Sequence, residues 1–273
     1  MLFRHHIPRP PLSNFIEMLW YYDGYAQPHA KERLMPTGTT ELVINLREDQ
    51  IRVYDRNDTK IGQTFPGAIV CGPHSEFFVI DTDEQTTVIG VHFKPGGIFP
   101  FVELPADELR NQHVGLADLW TPAVADDVRN QLLEAATPER KFRVLEDALL
   151  LQLKQPAPHP AVAFALRYFH DIPHLARMSV VSDKIGFSQR TFIQRFSEAV
   201  GLTPKAFCRV RRFQRVLKLI HDAREVDWTD VSLSCGYFDQ AHFIHDFRAF
   251  AGINPTTYML HKTEHLNHVP LVE

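Results

Sequence analysis

Two short rows of side chains carry the chemistry this sequence can be read for. In QRTFIQRF they are Gln189, Arg190, Ile193, Gln194 and Arg195; in QAHFIHDF they are Gln240, Ala241, Ile244 and His245. Their types match what base-pair edges offer: arginine pairs with guanine, glutamine with adenine, and an aliphatic chain meets the thymine methyl. They form rows because of the phenylalanines beside them. Phe192 and Phe196, and again Phe243 and Phe247, recur at the helical period and need burying, which leaves the mixed residues on the free face. A plain helical bundle would need the same phenylalanines, so the rows alone decide nothing.

The way the rows must be held decides more. GFSQRTFIQRFSEAVGLTPKAF and GYFDQAHFIHDFRAFAGINPTTY superimpose at a constant offset of 51, matching Phe192 to Phe243, Ile193 to Ile244, Phe196 to Phe247, Gly201 to Gly252, Pro204 to Pro255 and Phe207 to Tyr258. Gly186 and Gly236 match one residue out of register, so the second copy has one extra residue in its turn. Each copy predicts helix, tight turn, helix. Met178, Val181 and Ile185 form the stripe before the first turn, and Trp228, Val231 and Cys235 the one before the second. A residue without Cβ suits the turn, and Ser188 and Asp239 are placed to cap the helices that follow. Between the copies, Pro204 to His221 predicts one continuous helix. Phe207, Val210, Phe213, Leu217 and Ile220 follow its period, with Arg209, Arg211, Arg212, Arg215 and Lys218 around them. Such a rod would hold two reading helices apart; successive major grooves on one side of DNA need roughly 34 Å.

With those residues in view, the segment from about Ala161 to Lys262 resembles the DNA-binding domain of AraC/XylS-type bacterial transcription regulators. The likeness is carried by G-Y-x-D-Q-x-H-F, D-F and G-x-x-P in Gly236 to Tyr258. It implies seven helices, two helix-turn-helix units and a DNA site read from one side, with double-stranded DNA as partner. Ser182 and Ser232 stand where many members carry alanine, and His245 where an arginine is frequent. VHFKPGGIFPFVELPADEL and the DLW at Asp118–Trp120 are also similar to a sensor module of some such regulators, which brings no known ligand. By that analogy the first half would hold a small-molecule effector, and the helices between Asp126 and Leu153 would pair two subunits. Contact with RNA polymerase belongs to the same expectation. Activator or repressor action stays open.

The first half must supply a different scaffold. Glu41–Leu46, Gln50–Asp55, Ala68–Gly72, Glu76–Asp81 and Thr86–Phe93 are short, rich in β-branched and aromatic residues, and separated by turn chemistry. They predict a sandwich or a barrel-like, cupin-like domain. LSNFIEMLWYYDGY could be a short helix running into a strand, and its pattern leaves that open. Asp126 to Leu133 and Glu139 to Leu153 are helical in period, the second opened by Thr137 as cap and Pro138 at the first helical position. The expected class is therefore α+β: a β-rich part at 1–115 with helices at 116–153, a proline-rich linker at 154–160, a tandem helix-turn-helix domain at 161–262, and a solvated tail at 263–273. Three prolines in the linker lack donors and end any helix.

Charge supports this division. Residues 1–156 hold 15 Lys and Arg against 22 Asp and Glu, while 157–262 hold 14 against 9. An acidic half joined to a basic one fits a chain of which only one part meets phosphates. The three cysteines, Cys71, Cys208 and Cys235, lie far apart and form no CxxC, which suits a reducing cytosol. No apolar run approaches the roughly 18 residues of a membrane span, and MLFRHHIPRPPL has no apolar secretory core. The expected location is cytoplasmic, with no membrane partner.

Fifteen histidines raise a second possibility, a cupin-like small-molecule enzyme with an attached DNA-targeting domain. His5, His6, His29, His74, His92 and His113 fall in the β-rich half, but no HxH with a downstream Glu and His of metal-ligand spacing is present. No metal, cofactor or catalytic residue is expected. His261, His265 and His268 in HKTEHLNH could share one helical face or lie in a frayed end. A third possibility is a pure protein-interaction module.

Overall fold

The computed structural model describes residues 1–24, 27–154, 159–171, 181, 184 and 186–271. Met178, Ser182 and Ile185, and 155–158 of the proline-rich segment, lie outside them.

The strand-rich half is two antiparallel sheets. One runs β1 (Leu2–His6), β2 (Ile16–Asp23), β9 (Thr87–Phe93), β4 (Glu41–Asn45), β7 (Ala68–Cys71) and β10 (His113–Gly115). The other runs β11 (His268–Pro270), β3 (Lys31–Leu34), β8 (Phe78–Asp81), β5 (Gln50–Tyr54) and β6 (Gly62–Pro66). All five strands expected from the sequence form, and LSNFIEMLWYYDGY becomes a 3-10 turn at Leu12–Asn14 followed by β2. The barrel-like domain is built of separate, unclosed sheets facing each other: Val43 and Ile69 of the first meet Ile51, Val53 and Phe65 of the second.

Alternation along the strands sorts side chains between two layers. In β2, Leu19 and Tyr21 turn to a core shared with Leu132, Leu145 and Leu149 of the helices Pro122–Glu134 and Pro138–Gln152. Met18, Trp20 and Tyr22 turn the other way, into the space between the sheets. Thr137 caps the second helix as expected, accepting from the Arg140 amide at 3.4 Å.

The carboxy-terminal half packs around aromatic rings. Phe169, Phe192, Phe196, Phe207, Phe213, Phe243, Phe247 and Tyr258 are almost fully buried in one cluster. The rod forms over Pro204–His221, capped by Thr203, whose hydroxyl accepts from the Ala206 amide. Its far end is tied by Lys262, whose ammonium donates to the carbonyls of Ile220, His221 and Ala223.

The tail departs from the expectation of a solvated end. Residues His268–Pro270 form β11, paired with β3 in the register His268 to Leu34, Val269 to Arg33 and Pro270 to Glu32. Val269 is fully buried, and the last helix closes at His261, so His265 and His268 belong to no helical face. The reason is an open edge: β3 presents unpaired amides and carbonyls that a returning strand satisfies. The segment after the helical half thus adds an edge strand to the second sheet of the strand-rich half.

Other contacts join the halves. Met35 is buried within the helical cluster, and Gln214 of the rod donates at 2.8 Å both to the Pro36 carbonyl and to Asn267 of the tail. Gly201 and Gly252, which close the two reading helices with left-handed φ of 85° and 69°, also lie against the strand-rich half. A Cβ on Gly201 would stand 2.1 Å from Pro73, and one on Gly252 2.4 Å from Phe77. Glycine is therefore required twice over at both ends, by backbone angle and by closeness.

Candidate nucleic-acid interface and effector cavity

Both reading helices are set up as the residue types dictate. Gln189–Val200 starts at Ser188, whose hydroxyl accepts from the Thr191 amide at 3.2 Å. Gln240–Ala251 starts at Asp239, whose carboxylate accepts from the His242 amide at 2.7 Å. The turns before them hold Gly186 and Gly236 at φ of 69° and 77°. Phe192, Phe196, Phe243 and Phe247 bury the inner faces completely.

The outer faces are free. Gln189, Arg190, Gln194 and Arg195 are exposed and Ile193 half-buried; Gln240, Ala241 and His245 are exposed and Ile244 half-buried. Ile244 packs against the helical cluster, and among the described residues Gln194 and Arg195 have partners on their own unit. Gln194 donates to Glu198 at 2.8 Å, and the Arg195 guanidinium lies 5.3 Å above the Phe187 ring. At the position matching Arg195 the second copy has Asp246, which is buried and accepts from Arg209 of the rod at 2.6 Å. The two copies are therefore unlike at this point: one shows a cation to solvent, the other locks helix to rod.

The structure also sorts the rod's basic residues, which periodicity leaves unsorted. Arg209 is held by Asp246, whose hydrogen bond and charge raise the guanidinium above its ordinary range. Arg212 stacks over the Tyr237 ring at 5.0 Å. Arg211 turns to the strand-rich half, where burial lowers it against the pull of Glu17. Lys205, Arg215 and Lys218 are exposed, as a side chain that meets a phosphate has to be.

A second feature, unseen in the sequence, is the space between the sheets. Two adjoining lobes of about 200 and 280 Å³ share Leu34, Glu41, His265 and His268 as wall. The first sheet gives the smaller lobe Trp20, Tyr22 and Glu41, the second gives it Glu32 and Ile80, and the tail supplies His265 and His268. Glu32 is wholly buried. Burial alone would raise its carboxyl, but hydrogen bonds and charges of His268 and His29, at 2.7 and 3.3 Å, outweigh it and hold the group below its usual range. His268 is half-buried; desolvation pulls its imidazole down, but Glu32 and Glu41 together outweigh that and keep it above the ordinary value. Glu41, half-buried, repeats the arrangement with His92 at 2.6 Å, which outweighs desolvation and again holds the carboxyl down. Only β-strand alternation hinted at this wall; the pairing of Glu32 with a residue 236 positions later has no local signal.

Among the described residues, no group of three His, Cys, Asp or Glu could hold a metal ion, and no helix is long and apolar enough to cross a membrane. Burial pushes the Cys71 thiol well up, the reverse of what a reactive thiol needs.

Residues 181–261 match a family described as Helix-turn-helix domain, and residues 4–115 match a Domain of unknown function, DUF6597. No curated protein matches the chain. Among solved structures, it is similar to ToxT from Vibrio cholerae bound to unsaturated fatty acid, at 10% identity over 94% of this chain and 95% of that one, with a TM-score of 0.47. It is also similar to the C-terminal domain of AraT, a response regulator from Geobacillus stearothermophilus, at 17% identity over 38% and 88%, TM-score 0.36. A DNA-binding transcriptional dual regulator from Escherichia coli K-12 gives 24% identity over 39% and 92%, TM-score 0.32. The helix-turn-helix match spans both reading helices and the rod between them. The carboxy-terminal third is a helix-turn-helix domain of the AraC/XylS type, and the chain is a DNA-binding transcription regulator.

Proposed function

We propose that the protein reads double-stranded DNA through Gln189, Arg190, Ile193, Gln194 and Arg195 of one unit and Gln240, Ala241, Ile244 and His245 of the other, under the control of a small molecule held between the sheets. The observation that carries the first part is the outward, capped presentation of both rows in a tandem repeat. The second part is supported by the tail: His265 and His268 follow the helical half in the chain, yet they wall the cavity. A molecule there touches residues belonging to both halves, so its binding energy can bias their arrangement. Residues 1–153 act as sensor and pairing domain, 154–160 as linker and 161–262 as reader. Exposed Leu150 and Leu151 on the sensor helix, at 44% and 80%, favour a homodimer. Contact with RNA polymerase and a cytoplasmic location complete the reading. The match at 181–261 is the reason to prefer regulation over catalysis.

The test is selection from random DNA with the full chain, followed by a salt titration. Two half-sites on one side of the duplex and a steep fall of affinity with salt are expected. Arg190→Ala should cost about 1–3 kcal/mol and relax preference at one position. Unchanged affinity and unchanged sequence preference would remove Arg190 from the interface.

A further inference from the structure

The smaller lobe is charged in an unusual way. Two carboxylates, Glu32 and Glu41, stand in its wall, and no lysine or arginine lines either lobe among the described residues. Histidines pair with both carboxylates: His268 and His29 with Glu32, and His92 with Glu41. An arginine in such a place is a permanent counter-ion, whereas a histidine surrenders its proton near neutral pH. Much of the remaining wall is apolar: the rings of Phe3, Trp20 and Tyr22 stand beside aliphatic side chains such as Met18, Val43 and Ile80. The Phe3 and Tyr22 ring centres lie 4.7 Å apart and those of Trp20 and Tyr22 5.6 Å. Ring faces are negative and attract cations, most strongly where water is excluded. An anion entering this lobe would meet two carboxylates and three aromatic rings, with no lysine or arginine among the described residues of its wall to receive it.

We propose that the effector is an organic cation with an apolar body, an alkyl- or arylalkylamine, whose ammonium sits between Glu32 and Glu41 and whose body lies against Phe3, Trp20 and Tyr22. Its class is read from the cavity wall alone; the sensor role given above is needed only for the consequence at DNA. Charge balances by exchange: the ligand brings one positive charge, and His268 releases one proton to solvent. His268 is the group placed for this, facing Glu32 from β3 and Glu41 from β4, with His265 and Glu264 in its own segment. Once neutral, it can still hydrogen-bond to the Glu32 carboxylate but no longer forms an ion pair with it, and the pairing of β11 with β3 has a weaker anchor. An amine would therefore act on the end of the chain that the helical half projects into the sensor.

Isothermal titration of the full chain tests this with a panel of primary amines, from propylamine to 2-phenylethylamine, each beside the carboxylate of equal length. Buffers of different ionisation enthalpy report the proton. Amines should bind and release a proton while their carboxylate counterparts do not, and Glu41→Gln should weaken amine binding about ten- to hundredfold, as loss of a charged hydrogen-bond partner does. Glu32→Gln should act alike; Glu41, with 29% of its side chain exposed, is the substitution the fold tolerates more readily. No amine binding, carboxylates binding as well as amines, or amine affinity indifferent to both substitutions each overturns the proposal. DNA affinity measured with and without ligand separates the two ideas. A carboxylate that binds and alters DNA affinity leaves the sensor role standing without the cation; an amine that binds through Glu41 and leaves DNA affinity unmoved does the reverse.

Discussion

Removing the Glu32–His268 pair should produce a loss of stability with a distinctive dependence on pH. The two groups meet at 2.7 Å, Glu32 wholly buried and His268 with 32% of its side chain exposed. A hydrogen bond between ionised partners contributes about 1.5–3 kcal/mol, and the partial exposure of His268 argues for the lower end, about 1.5 kcal/mol. A double-mutant cycle with Glu32→Gln and His268→Gln isolates the pairwise part. The folded protein lowers Glu32 from its ordinary 4.5, so that contribution is complete above 4.5 and is lost as pH falls through the depressed value. It raises His268 from 6.5, so that contribution is complete below 6.5 and is lost as pH rises through the elevated value. Both are present together between those two ordinary values. Urea unfolding of the four proteins at about pH 5.5 and at a pH above the elevated His268 value should give a coupling near 1.5 kcal/mol at the first and a few tenths at the second. A coupling that is the same at both, or absent at the lower pH, would refute the assignment of an ionised pair.

Two further outcomes follow from contacts between elements. Arg209→Met leaves the Asp246 carboxylate, 2% exposed, without its guanidinium and should cost about 3 kcal/mol in denaturant unfolding, most of it recovered by adding Asp246→Asn; equal losses in single and double variants would show that the pair does not act as one. Gly252→Ala forces a Cβ onto left-handed backbone and to within 2.4 Å of Phe77, so it should destabilise by about 2 kcal/mol or more, with Phe77→Ala restoring only the part due to crowding. Full rescue by Phe77→Ala would mean that backbone angle contributes nothing there.

The parts of the fold legible in the sequence are those with local signals. Thr137-Pro138, Ser188, Asp239 and the glycine turns are short patterns with one physical meaning, and helix starts followed them. The rod's limits, Pro204 and His221, were legible because proline begins a helix cheaply and the apolar period continues to Ile220. β1, β3, β6 and β10 were not foreseen. Their sequences alternate weakly, and their partners lie far away in the chain. The tail is the strongest case: HVP carries little strand propensity, and it is a strand because β3 offers an edge. At the reading rows, side-chain type and period were enough to place the exposed face. The Arg209–Asp246 lock was hidden, because the repeat predicts the same environment for Arg195 and Asp246 while their surroundings differ.

Pro73 and Phe77 touch the closing turns of helices that lie half a hundred residues apart in the chain, as the distances from Gly201 and Gly252 require. One short loop of the strand-rich half therefore acts as a caliper, with a jaw on each wedge. DNA sets the gap between grooves by its own pitch, so an operator whose two motifs are out of phase with the caliper must be twisted to fit or the loop must yield. Whatever shifts that loop changes which motif spacing is cheapest, and selectivity for spacing becomes a property of the strand-rich half as much as of the two capped helices.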